Sequence, residues 1–127
     1  MSISKIATAH APAAIGPYSQ AMTVNGLLFT SGQIGVVPET GVVAGDSIEQ
    51  QAEQCCKNIG AILEAAGTDF DKVLKTTCFL ADMKDFAAFN AVYEKFFVGR
   101  PARSCVAVRE LPKSLLCEIE AIAALGD

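Results

Sequence analysis

A single histidine, His10, is all the imidazole in the chain, and the five cysteines, Cys55, Cys56, Cys78, Cys105 and Cys117, form an odd set with no CxxC spacing. This argues against a disulfide framework and against a zinc site, both of which need paired or regularly spaced groups. A histidine-activated cysteine is equally hard to assemble, because His10 lies in a proline-broken N-terminal stretch far from Cys105 in sequence. Basic residues are few and scattered: 10 Lys and Arg stand against 14 Asp and Glu, for a formal charge of -4. A sequence-independent grip on nucleic-acid phosphates needs a clustered cationic face, so nucleic acid is not an expected partner. No apolar run approaches the ~20 residues that span a bilayer. The first residues lack the apolar core of a secretory signal and the Arg-rich pattern of a transit peptide, so the expected location is cytoplasmic and reducing, away from membrane. No internal repeat, low-complexity tract or linker is visible.

Apolar residues are what the chain has in quantity: 51% of its 127 residues are hydrophobic and 19% charged. A chain of this length buries about two-thirds of its unfolded surface, and it reads as one domain over 1–127 that folds without staples. The limited polar surface leaves apolar groups to spare, which points to burial between subunits. An acidic chain can still bind a small anion when one arginine supplies the planar fork that matches a carboxylate.

Ala21 to Val24 and Leu27 to Thr30 read as strands around Asn25-Gly26, a dipeptide that favours a tight hairpin turn. Ser31 to Gly45, with four glycines and Pro38, carries too much turn chemistry for a regular element and reads as a loop. Ser47 with Gln50 makes a capping-box pattern, and Ile48, Ala52, Cys55, Ile59, Ile62, Leu63 and Ala66 follow at helical spacing up to Gly67. Lys72 to Leu80 reads as a strand, which brackets that helix in the manner of a βαβ crossover with a parallel partner strand. Phe86, Phe89, Val92, Tyr93, Phe96 and Phe97 form the stripe of a second helix that stops before Pro101. Arg103 to Val108 and Leu115 to Ala123 read as further strands. Together these give an α+β fold, one mixed sheet with two helices on one face. The other face of that sheet is left uncovered, and an apolar face of such size marks an interface.

Several residues suit more than one role. Arg103 is placed at a strand start by Pro101 and followed by apolar residues; this suits a bidentate carboxylate clamp, although by residue type alone a surface arginine or structural ion pair is commoner. Period-two alternation puts Glu118, Glu120 and Ile122 on one face of the last strand and Cys117, Ile119, Ala121 and Ala123 on the other. A carboxylate against an apolar pocket gains a raised pKa and can act as acid or base, whereas a pair on a strand face more often meets water. Cys105 reads as a packed, inert thiol. Ser31 and Gly32 offer a hydroxyl and close backbone approach at a strand end. Tyr18 either closes over a ligand or packs with a hydrogen bond, and Asn90 reaches either an orphan carbonyl or a pocket beside its helix.

Taken together, Ala13-Ala14-Ile15-Gly16-Pro17-Tyr18-Ser19-Gln20, Thr30-Ser31-Gly32-Gln33-Ile34, Pro101-Ala102-Arg103-Ser104 and Glu118-Ile119-Glu120-Ala121-Ile122-Ala123 resemble the reactive-intermediate deaminase (Rid) family, and within it the RidA branch. The resemblance covers nearly the whole chain in the right order. It implies a chorismate-mutase-like fold assembled as a homotrimer, with sheets facing inward, helices outside, and active sites in clefts between subunits. The implied activity is hydrolysis of 2-imino and 2-enamino acids, such as 2-iminopropanoate and 2-iminobutanoate, to 2-keto acids and ammonia, as metabolite damage control. By the same resemblance Arg103 binds the substrate carboxylate and Glu118 positions the attacking water. Tyr18, Ser31, Gly32, Asn90 and Cys105 line the cleft, and neither a metal nor an organic cofactor is required. The connector Val98-Gly99-Arg100 is shorter than in many relatives, which leaves the size of the preferred substrate open.

Two other classes compete. Relatives that keep the fold and trimer but have lost the arginine suggest a non-catalytic module binding 2-keto acids or a regulatory trimer; here Arg103 is present. A ribonuclease or translation inhibitor, a label attached to parts of the family, lacks support in a chain with no histidine pair, no metal-ligand cluster and no basic groove.

Overall fold

The computed structural model describes residues 2–126. The first helix, α1 (Ile48–Ala65), begins where the capping box is written: Gln50 N donates to Ser47 Oγ at 3.1 Å, and Ser47 N donates back to Gln50 Oε1 at 3.3 Å. Beyond its end Gly67 takes a φ of +81°, a conformation glycine adopts without a Cβ penalty. Ile48, Ala52, Cys55, Ile59, Ile62 and Leu63 are buried as the helical spacing requires, and Ala66 packs partly buried beside them. The second helix, α2 (Phe86–Phe96), buries Phe89, Val92 and Tyr93, and Phe97 just after it is 1% exposed.

One seven-stranded sheet carries both helices on one face. Its strands are β1 (Ser4–Ile6), β2 (Ala21–Val24), β3 (Leu27–Thr30), β4 (Gln33–Ile34), β5 (Val73–Leu80), β6 (Ala102–Ala107) and β7 (Cys117–Ala124). They lie in the order β1-β2-β3-β7-β5-β6, with β4 also paired to β7. The β2–β3 turn has positive φ at both Asn25 (50°) and Gly26 (76°), the signature of a type I′ hairpin.

Two expectations need correction, and the N-terminal stretch adds a strand of its own. The 31–45 segment is not wholly loop: Gln33 and Ile34 pair with Ile119 and Glu118, and Val36 bridges Val43. The N-terminal stretch contributes an edge strand, β1, three residues long and too short to show a period. The strands flanking α1 run in the same direction, but β7 inserts antiparallel between β3 and β5, so they are not neighbours. The parallel neighbour of β5 is β6, reached through α2.

Alternation decides what each face of the sheet offers. Cys117, Ile119, Ala121 and Ala123 of β7 are buried beneath α1, while Glu118, Glu120, Ile122 and Ala124 are half-buried on the other side. Register carries that second face outward. Glu118 pairs with Phe79, which pairs with Val106, and Ile122 pairs with Phe29, which pairs with Met22. Among the described residues no helix covers this face, and Phe29 and Val106 remain 40% and 47% exposed.

Buried amides tie the irregular segments to the helices. Asn58, fully buried in α1, donates from Nδ2 to Ile34 O at 3.1 Å and Val36 O at 3.0 Å, and its Oδ1 accepts from Gln54. Gln51 donates to Gly45 O at 2.9 Å and accepts from Leu116 N at 2.7 Å. Asn58→Ala therefore strips Val36 O of its side-chain donor and leaves Ile34 O with only Val36 N, at 2.8 Å, at a cost of about 1–3 kcal/mol. Urea unfolding is the check, and a loss below about 0.5 kcal/mol would mean that water replaces the amide without penalty.

Candidate active site

The residues singled out above fall into two groups, each coherent within itself. The first group borders a cavity of about 550 Å³ walled by the N-terminal segment, the stretch after β3 and the Pro112–Lys113 turn. Tyr18, Ser31, Gly32 and Glu118 all line it, with an apolar wall that includes Ile15, Ile34, Val36, Val37, Pro38 and Pro112.

Ser31 is held by its own surroundings: Oγ donates to Ser19 O at 2.6 Å and N donates to Gln20 O at 2.9 Å. Gln20, 4% exposed, is the hub of this wall. Its side-chain amide donates to the carbonyls of Thr8, Ala11 and Pro12 and accepts from Thr8 N, lashing an otherwise unstructured segment to the start of β2. Tyr18 stands beyond that lash, 53% exposed, its hydroxyl accepting from Ile15 N at a long 3.4 Å. Gly32 has a steric reason to be glycine, since a Cβ there would overlap the Glu118 carboxylate. Glu118 is half-buried, and its carboxyl titrates above the ordinary value of 4.5, chiefly because burial penalises the charge and secondarily because Glu120 repels it. A carboxylate so tuned, beside free space, can hold and exchange a proton with a bound molecule.

The second group lies at the β6 edge, on the helix side. Arg103 pairs in register with Thr76, whose own partner Ala121 belongs to the buried face of β7. Its Nη1 donates to Asn90 Oδ1 at 2.8 Å, so the polar break in the α2 stripe serves the arginine and not a backbone carbonyl. The guanidinium carbon lies 4.8 Å from the Tyr93 ring centroid and 5.5 Å from that of Phe86. Among the described residues no carboxylate pairs with Arg103, and the one ion pair, Lys57 with Glu53, lies elsewhere on α1. The commoner fate of an arginine, a structural ion pair, is therefore not the one met here. A cation held this way, with N–H donors left over, is ready for an anion.

Cys105 shares the Arg103 face and is half-buried, and burial raises its thiol pKa more than Arg103 lowers it. Cys78 beside it is pushed up to about 12, again by burial. Such thiols stay protonated and inert. Phe86, Tyr93, Thr76 and Gln20 were not anticipated as site residues. The aromatic stripe reads as core packing, and only the polar tip of Tyr93 within it distinguishes a supporting role.

The two groups do not meet within one chain. Arg103 projects from the helix face of the sheet, Glu118 from the uncovered face, with β5 between their strands.

Comparison with known proteins agrees with this architecture. The endoribonuclease L-PSP family model matches residues 8–125. A Lactococcus lactis protein named as a regulator, AldR, is 60% identical over 119 residues, covering 93% of this chain and 94% of its own. The 2-iminobutanoate/2-iminopropanoate deaminase of Salmonella typhimurium is 52% identical over 122 residues, covering 93% and 94%. The crystal structure of E. coli TdcF with bound serine superposes with a TM-score of 0.92 at 43% identity, over 97% of this chain and 99% of that one. Matches of this identity over almost the full length leave no doubt of ancestry: the chain belongs to the endoribonuclease L-PSP, or Rid, family.

Proposed function

We propose that this protein hydrolyses 2-imino and 2-enamino acids, among them 2-iminopropanoate and 2-iminobutanoate, to 2-keto acids and ammonia, at sites built between copies of a homotrimer. The observation that carries the reading is the division of the site: an anion-ready Arg103 and a proton-exchanging Glu118 on opposite faces of one sheet. Two such half-sites become one when the β6 edge of one copy meets the cavity of the next. The uncovered apolar face supports an assembly of this kind, since burying Met22, Phe29, Phe79, Val106 and Ile122 against other copies removes them from water. Cyclic symmetry then repeats the same junction at every interface. The names of several relatives near 50% identity, given as 2-iminobutanoate/2-iminopropanoate deaminase, support the reaction class.

The chemistry asks for orientation and proton movement. Arg103 clamps the substrate carboxylate through its free N–H donors, which fixes C2 in place. Glu118 accepts a hydrogen bond from a water and aligns it on C2. As that water adds to C2, Glu118 takes one of its protons and passes it to the imine nitrogen, giving a carbinolamine. Glu118 then takes the carbinolamine hydroxyl proton and delivers it to the amino group as the C–N bond breaks, so that the ketone forms and ammonia leaves. Its raised pKa suits both halves of this exchange. Tyr18 and Ser31 border the space the substrate fills, Gly32 lets it approach the backbone, and Asn90 and Cys105 bound the arginine side.

The test generates 2-iminobutanoate in situ from threonine with a dehydratase and traps residual imine with semicarbazide. Wild type lowers the trapped product below the uncatalysed control. Arg103→Ala, which removes two charge-assisted hydrogen bonds at roughly 1.5–3 kcal/mol each, returns it to background. An Arg103→Ala protein as active as wild type would refute the clamp. If neither protein diverts imine while wild type binds 2-keto acids, the regulatory reading suggested by the name of the Lactococcus relative takes precedence. Cys105→Ser keeps most of the activity, because its half-buried thiol takes no covalent part; detection of a Cys105 adduct by mass spectrometry during turnover contradicts this.

A further inference from the structure

The contacts that hold the Arg103 guanidinium extend one layer deeper than a clamp requires. Arg103 lies on the Tyr93 ring, and Tyr93 is itself restrained at both ends. Its hydroxyl stands 2.6 Å from Thr76 Oγ1 in a site where Thr76 is 1% exposed, and its ring stacks on the buried Phe97 at 4.3 Å with a 19° tilt. Thr76 is also the register partner of Arg103 across the parallel β5–β6 pair. One strand position thus carries the cation, and the position beside it carries the hydroxyl that pins the ring beneath the cation.

Packing alone does not ask for this hydroxyl. The other aromatic positions of the stripe, 86, 89, 96 and 97, are all phenylalanine, so the helix buries its face without polar tips. A hydroxyl taken into the core at Tyr93 needs a partner there, and Thr76 supplies it with Cys78 Sγ approaching the same oxygen at 3.9 Å. Burial pushes the phenol up to about 12, as befits a hydroxyl held inside the core. An arginine free in water must freeze several rotors before it clamps a carboxylate, whereas one already stacked and tethered has frozen them.

We infer that the buried Thr76–Tyr93 hydroxyl pair is a positioning device for Arg103, fixing the ring that presents the guanidinium fork to the substrate carboxylate. The inference rests on the deaminase reading and deepens it. Thr76 and Tyr93 touch no substrate, so their influence falls on carboxylate recognition and leaves the chemical step at C2 alone.

The test is a double-mutant cycle with Thr76→Val and Tyr93→Phe, each of which removes one hydroxyl at nearly constant volume. Each single variant raises KM for 2-iminobutanoate and Kd for 2-ketobutanoate about threefold to tenfold, while kcat stays within about twofold. The double variant is no worse than the poorer single one, because the two hydroxyls act as one unit. Preference for 2-ketobutanoate over its amide, which lacks the charge that Arg103 reads, falls in proportion. Folded variants with KM and Kd unchanged, or with kcat lowered at constant KM, overturn the inference. Where a single substitution leaves a lone hydroxyl that unfolds the chain, the double variant, with neither hydroxyl, decides. A wild-type protein that hydrolyses no imine overturns the deaminase reading instead, and the Kd comparison then still reports whether the pair positions Arg103.

Discussion

Strand β7 is hydrogen-bonded to β3 and β4 along one side and to β5 along the other, so its register has no freedom to slip. With the register fixed, strict alternation sends Cys117, Ile119, Ala121 and Ala123 into the core under α1 and holds Glu118 and Glu120 on the opposite face. A slip by one residue would bury two carboxylates and expose the core set. The same alternation, read through β5 to β6, sends Arg103 to the helix side. The separation of the two charged groups is thus a consequence of how the sheet is paired, and the proposed shared site is the way an assembly reunites them.

Electrostatics and packing support the same division. Around Arg103 stand rings and one amide oxygen, and among the described residues no carboxylate neutralises it, which keeps the half-buried cation available. Around Glu118 it has placed apolar walls and a glycine whose missing side chain gives the carboxylate its room. Among the interior thiols, Cys55 and Cys117 lie 3.7 Å apart, sulfur to sulfur, in a fully buried site, and burial holds the Cys55 thiol well above the usual range.

Local signals were legible where one short stretch of sequence decides the outcome. Ser47 and Gln50 announce α1, Asn25-Gly26 announces the hairpin, and the C-terminal alternation announces which carboxylates share a face. Non-local choices were not legible. Nothing in residues 27–80 shows that β7 inserts between β3 and β5, because that pairing is settled by contacts with residues 117–124. The two residues of β4 carry no period at all. Gln20, Thr76 and Tyr93 read as an ordinary polar residue, a strand former and a core aromatic, and their meaning comes only from the partners that folding brings to them. Arg103 and Glu118 could be chosen from the motifs, but their opposite orientation required the register.

The measurement that bears most directly on a site divided between copies is complementation of two inactive variants. Arg103→Ala and Glu118→Gln are unfolded separately, mixed in equal amounts, refolded together and assayed for imine hydrolysis. If each site draws its arginine from one copy and its glutamate from the next, about a quarter of the sites in random mixed assemblies receive both wild-type groups, and activity returns in that proportion. Mixed assemblies that form and remain as inactive as the parents would contradict the account, since the two residues would then have to act from the same chain.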